Sequence, residues 1–163
     1  MASKKPTIAG KTSSNGELQS PKGMRDILGK DYYKLQGLSE KAQEVAVYYG
    51  FDPIKTPHLE DSRVFERSLG DGSDALDKEM YSLKTKGGDH LALRPEGTAG
   101  VMRAYLEHGM RNLPQPVSLY YSGAFFRHDK PQRGRYRVLH QFGLEEIGTE
   151  KSIADALIIQ TFV

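Results

Sequence analysis

Residues 117–148 read VSLYYSGAFFRHDKPQRGRYRVLHQFGLEEIG, and their pattern decides the fold. Val117 to Arg127 is dense in Tyr and Phe and alternates imperfectly, as a buried strand does. Arg137 to Ile147 is the expected antiparallel partner. Between them, His128 to Tyr136 is polar and basic and carries Gly134, which predicts the connecting loop. From Arg127 to Arg137 five cations (Arg127, Lys130, Arg133, Arg135, Arg137) stand against one anion, Asp129. Charge concentrated in this way suits a phosphate or a nucleic acid; a solvated hairpin is the plain alternative. Arg127 ends a strand, so a rigid element holds a planar fork that can make two parallel bonds to phosphate. On the returning strand Gln141, Gly143 and Glu145 alternate and so share a face. An amide and a carboxylate with a glycine between them leave room for a ligand and can read an ammonium group and a ring N–H. The alternative is that Arg127 pairs with Glu145 or Glu146 and the face is merely wet.

Upstream, the segment Arg94-Pro95-Glu96-Gly97-Thr98 joins a strand to a helix. Pro95 pushes Arg94 out of the helical region, so Glu96 and Thr98 stand at a junction where side chains project beyond a sheet. A carboxylate there can bind an α-amino group, or it can simply serve the helix dipole. The helix itself is predicted from Glu96 to about His108, stopped by Gly109. Before it, Glu79 to Lys84 and His90 to Leu93 read as a hairpin turning at Gly87-Gly88. Gly70 to Asp77 reads as an acidic loop, and Ser62 as the cap of a short helix to about Leu69.

A first helix is predicted from about Asp31 to Tyr49. Leu35, Leu38, Ala42, Val45, Ala46 and Tyr49 fall on one stripe, and Gly50 is placed to end it. A short strand, Ile54 to Thr56, follows between Pro53 and Pro57, where two prolines argue for an edge. Pro21 to Leu28 reads as an ordered lead-in, and residues 1–20, rich in Ser, Lys, Gly and Thr, as a disordered tail. At the other end a helix begins near Ser152 and is apolar nearly all round. Its pattern runs to Val163 without a cap, so the fold is expected to continue.

The bulk numbers exclude several classes. Apolar residues make up 37% of the 163 and charged residues 27%, a globular composition. No apolar run approaches the roughly 20 residues of a membrane helix, and no apolar core follows the N-terminal lysines as a secretory signal requires. There is no cysteine, which excludes thiolate metal sites and fits a reducing cytosol. The histidines show no metal-ligand spacing, so no resident metal is expected. No P-loop or Rossmann glycine pattern is present.

The string FRHDKPQRGRYRVLHQFGLEEIG (Phe126 to Gly148) resembles the second signature motif of the class II histidyl-tRNA synthetases. LRPEGTAG (Leu93 to Gly100) is similar to that family's amino-acid-binding segment. PKGMRDIL is similar to its lead-in, and Asp31 to Pro57 to the first class II motif, which in the family builds the dimer interface and ends in proline. The resemblance runs from about Pro21 to Val163. It implies an α+β fold, an antiparallel sheet flanked by helices. It implies ATP-dependent activation of histidine to histidyl-adenylate and transfer to the acceptor end of the histidine tRNA, with Mg²⁺ on the ATP phosphates, in a cytoplasmic homodimer.

Carried to this sequence, it places Arg127 on the α-phosphate and the developing charge, next to the histidine carboxylate. Glu96, Gly97 and Thr98 would hold the α-amino end of histidine, with Gln141 and Glu145 lining the same pocket and Glu145 reading the imidazole. Asp129, Arg135 and Tyr136 would lie along ATP, and Gln132 and Arg133 at the loop tip would meet the tRNA. Two positions depart from the family pattern: Asp129 replaces a glutamate, and Leu139 an aromatic residue that would stack on adenine. Residues 21–163 would thus be a partial catalytic domain, without the third class II motif and the anticodon-binding domain, and weak or absent catalysis is expected of the 163-residue chain. A related non-catalytic possibility is the histidine-sensing regulatory paralogue that serves ATP phosphoribosyltransferase.

Overall fold

Ten residue pairs, from Val117 opposite Ile147 to Phe126 opposite Val138, hold strand β5 (Val117–Phe126) antiparallel to β6 (Val138–Ile147). The computed structural model describes residues 18–68, 79–130, 132 and 134–162. The ladder is extended past β5 by a bond from the Arg127 N–H to the Arg137 carbonyl at 2.9 Å. Around this hairpin stand helix α1 (Lys30–Tyr48), strand β1 (Asp52–Pro53), strand β2 (Leu59–Asp61), helix α2 (Arg63–Ser68), strands β3 (Tyr81–Lys84) and β4 (His90–Leu93), helix α3 (Thr98–Glu107) and helix α4 (Ser152–Phe162).

Among the described residues these strands form two three-stranded sheets. The first has the order β1-β5-β6, with β1 parallel to β5; the second has the order β2-β4-β3 and is antiparallel throughout. The mixed α+β class with antiparallel hairpins is as expected. Because side chains alternate along a strand, β5 and β6 present two apolar faces. One carries Tyr120 and Leu144 and is covered by Ala46 of α1, by Phe51 and by Leu157 and Ile158 of α4. The other carries Leu119, Tyr121 and Phe125 and is covered by Val101 of α3. The opposite side of α3 supplies Ala99 to a second cluster with Phe65 and Ala92. Helix α3 is therefore wedged between the sheets, and its N-terminus is held from both sides.

Several expectations need correction. The strand expected at Ile54 to Thr56 is displaced: Asp52 and Pro53 pair with Leu119 and Tyr120. Pro53 takes an edge position, where its missing N–H costs nothing, and the Thr56 carbonyl is turned toward Arg94 at 2.9 Å. Strand β2 was not expected at all. The side chain that receives a backbone amide at the start of α2 belongs to Asp61, from Arg63 at 3.0 Å, and not to Ser62. Helix α3 begins at Thr98 rather than Glu96. On α1 the expected stripe is buried only at Ala46; Leu38 is 71% exposed. Residues 1–17 of the expected tail, the Gly70 to Asp77 loop and Arg133 lie outside the described residues.

Candidate active site

The Glu96 carboxylate accepts the backbone N–H groups of Thr98 at 2.6 Å and Ala99 at 2.9 Å. It is a helix cap, which satisfies two of the amides that an α-helix leaves unpaired at its N-terminus. This cap fixes the direction of Thr98, whose hydroxyl donates to Glu145 Oε1 at 2.7 Å. A residue of α3 and a residue of β6, 47 positions apart, are thereby joined across the mouth of the sheet.

Tyr121 sets the spacing beneath them. It is buried, and it lies opposite Gly143 in the ladder. A Cβ added at either Gly97 or Gly143 would overlap the end of its ring, so the ring is gripped between two glycine backbones. The Gln141 amide donates to the Tyr121 hydroxyl at 3.3 Å, and Gln141 Oε1 is buried with no partner among the described residues. Burial, then the charges of Glu145 and Glu96, push the Tyr121 hydroxyl up to about 12; it is a neutral phenol at physiological pH. Burial raises the Glu145 carboxyl, the Thr98 hydrogen bond opposes that rise, and the nearby Glu96 charge adds to it. A half-buried carboxylate held this way gains from a cation or an N–H donor, which would offset its desolvation. Gln141, Gly143 and Glu145 do share one face, as alternation predicts.

Arg127 begins the loop after β5. Its Nε donates to the Pro95 carbonyl at 2.9 Å, and its terminal nitrogens make no hydrogen bond or ion pair among the described residues. It does not pair with Glu145 or Glu146. The guanidinium is anchored along one edge, and its outer fork has no hydrogen-bond partner among the described residues. Beyond it, Asp129 is buried and its Oδ2 accepts Arg135 Nε at 2.6 Å; Arg135 also stands 3.7 Å from Glu79. Tyr136 is exposed, with the Arg25 guanidinium 4.5 Å over its ring. Gln132 is exposed and pairs by backbone with Arg135, closing the loop tip. Leu139 packs on the Val101, Leu119, Tyr121 and Phe125 cluster.

Three residues near the site were missed in the sequence. Tyr121 reads there as one more aromatic residue of a buried strand; its place opposite Gly143 was the available signal. Arg94 is buried and ties three segments together, donating to the Ala124 carbonyl at 3.1 Å and to Thr56 O and Oγ1 at 2.9 and 3.0 Å. It also lies 4.4 Å over the Phe125 ring. Glu79, the third, carries no local signal. Among the described residues no group of three or more His, Asp or Glu side chains could hold a metal ion, and no helix is long and apolar enough to cross a membrane.

The sequence pattern of the family described as histidyl-tRNA synthetase matches residues 23–163. The histidine–tRNA ligase of Dehalococcoides mccartyi is 50% identical over 142 residues, covering 87% of this chain and 34% of that protein. The crystal structure of apo histidyl-tRNA synthetase from S. aureus superposes with a TM-score of 0.76 at 36% identity, over 90% of this chain and 33% of that one. A Bacillus halodurans structure titled ATP phosphoribosyltransferase regulatory subunit/histidyl-tRNA synthetase gives 0.75 at 28% identity, over 92% and 38%. The chain thus spans about a third of the length of these relatives. Matched along nearly all of its described length, the chain belongs to the histidyl-tRNA synthetase family.

Proposed function

We propose that this chain carries the histidine- and ATP-binding part of a histidine–tRNA ligase acting in the cytoplasm. The observation that carries the reading is the buried, unpartnered Gln141 Oε1, on the same face of β6 as Glu145, which holds the Thr98 hydroxyl. A buried acceptor without a donor costs free energy until a ligand supplies one, and the α-ammonium and imidazole N–H of histidine are such donors. Glu145 would take the imidazole. Thr98 and Gln141, on the backbone frame of Gly97, would take the amino end. Glu96 acts on Thr98 through the helix cap.

ATP would enter as its Mg²⁺ complex, with the α-phosphate on the outer fork of Arg127 and the distal phosphates toward Arg135. Tyr136 and Leu139 would flank the nucleotide, Leu139 with less surface than an aromatic ring. The histidine carboxylate oxygen attacks the α-phosphorus as the bond to pyrophosphate breaks. No covalent enzyme nucleophile is needed, so positioning and charge neutralisation carry the rate. A terminal tRNA hydroxyl then attacks the carbonyl and AMP leaves; Gln132 and Arg133 would meet that acceptor end. Asp129 would serve by holding Arg135 in place. A second copy would cover the exposed Tyr33, Leu38 and Tyr48 of α1.

The second reading is the histidine-sensing regulatory subunit, favoured by the likeness to the Bacillus halodurans structure. Isothermal titration of the chain with histidine and then with MgATP tests both. Saturable histidine heat that is lost in Glu145→Gln, and MgATP heat that is weakened in Arg127→Ala, are the expected results. Histidine binding without ATP binding selects the sensor. No histidine heat from the folded wild-type chain refutes both.

A further inference from the structure

Glu79 precedes β3 and lies outside every segment the sequence marks as a site, yet it is joined to the loop after β5 in three ways. Its backbone carbonyl accepts the His128 N–H at 2.5 Å. Its carboxylate stands 3.7 Å from Arg135 Nη2. Its carboxyl also faces that of Asp129, which holds Arg135 Nε at 2.6 Å. The Asp129 carboxyl beside it pushes Glu79 up from the usual carboxylate range while Asp129 is held below it, so of the two Asp129 is the firmer anion. Arg127 and Arg135 face the pair, and Tyr81 of β3 meets the His128 ring edge-on at 5.2 Å.

The consequence falls on Arg135. Its side chain is 52% exposed, and a long exposed side chain ordinarily loses its geometry to rotamer freedom. Here one edge of the guanidinium is fastened to a buried carboxylate, and the Glu79 carboxylate, just before β3, stands against the same guanidinium. We infer that Glu79 is a positioning residue for Arg135: acting beside Asp129, it makes the β3–β4 hairpin the element that decides where this guanidinium stands. Its bearing on phosphate binding rests on the ATP reading above.

The test uses Glu79→Ala and Glu79→Gln in the whole chain, with two readouts. The glutamine amide can still donate to Asp129 and accept from Arg135, so it should rescue what alanine loses. The first readout is the Arg135 Nε–Hε resonance, which should be sharp in the wild type and in Glu79→Gln and broadened by solvent exchange in Glu79→Ala. The second is MgATP affinity, which should fall about tenfold in Glu79→Ala, as expected for loosening one charge-assisted contact. An Arg135 resonance unchanged in Glu79→Ala overturns the inference, and so does glutamine failing as alanine does. If the resonance responds as expected while the wild type binds no MgATP, the positioning role stands and the nucleotide reading falls.

Discussion

Replacing Arg94 with methionine should unfold this chain more readily than any single change at Arg127, Gln141 or Glu145. Arg94 is 4% exposed and makes three hydrogen bonds, two to backbone carbonyls and one to the Thr56 hydroxyl. Hydrogen bonds to a charged donor contribute roughly 1.5–3 kcal/mol each, and the contact over Phe125 adds about 0.5–2 kcal/mol. Against this stands the cost of burying the guanidinium, which lowers the Arg94 pKa chiefly by desolvation. The bonds share one group and do not add, so a net loss of about 3–5 kcal/mol is expected, from three acceptors left without this donor. That is a large share of the roughly 5–15 kcal/mol that holds a domain folded. Lysine keeps the charge but has no planar fork to reach both the Thr56 and Ala124 carbonyls, so Arg94→Lys should recover less than half. The assay is urea unfolding followed by circular dichroism, with an unchanged slope showing that the same surface is exposed. A loss below about 1 kcal/mol in Arg94→Met would refute the claim that this side chain ties Thr56 to β5.

Two further outcomes follow from the ring at the centre of the site. Gly143→Ala puts a methyl into the Tyr121 ring, which Gly97 blocks on the other side, and should cost about 1–3 kcal/mol by thermal unfolding; adding Tyr121→Ala should recover part of it, and a purely additive double mutant would count against the grip. Tyr121 holds its proton up to about 12, against an ordinary 10.0. The folded chain therefore binds that proton more tightly than the unfolded chain, and stability should fall as pH rises across this window. Tyr121→Phe should flatten that fall, and urea midpoints with identical alkaline slopes in the two proteins would contradict it.

Much of the architecture could be read from local pattern. The β5–β6 hairpin, its basic loop, α1 and α3 appear within a residue or two of their expected bounds, because each has a period or a stop signal of its own. Strand β2 has three residues and two charges; no periodicity survives at that length, and it exists only because β4 offers an edge. The same division runs through the site. Gln141 and Glu145 share a face by alternation alone, and Thr98 stands at a helix start marked by Pro95 and Glu96. The sequence left open whether Glu96 meets a ligand or its own helix; both its oxygens cap α3.

Spacing along the chain decides which side chains look the same way, since the 2.0 and 3.6 periods are properties of the backbone. It says nothing of what they look at. Arg94 meets acceptors 30 and 38 residues away, Thr98 meets a carboxylate 47 residues on, and Glu79 meets a loop of the other sheet. Those meetings are set by how α3 wedges between the sheets and how the β3–β4 hairpin abuts the loop after β5. Many sequence separations are compatible with such packing, so only the folded chain reveals that Tyr121 is gripped by two glycines, that Arg94 is a buried tether, and that Glu79 steadies Arg135.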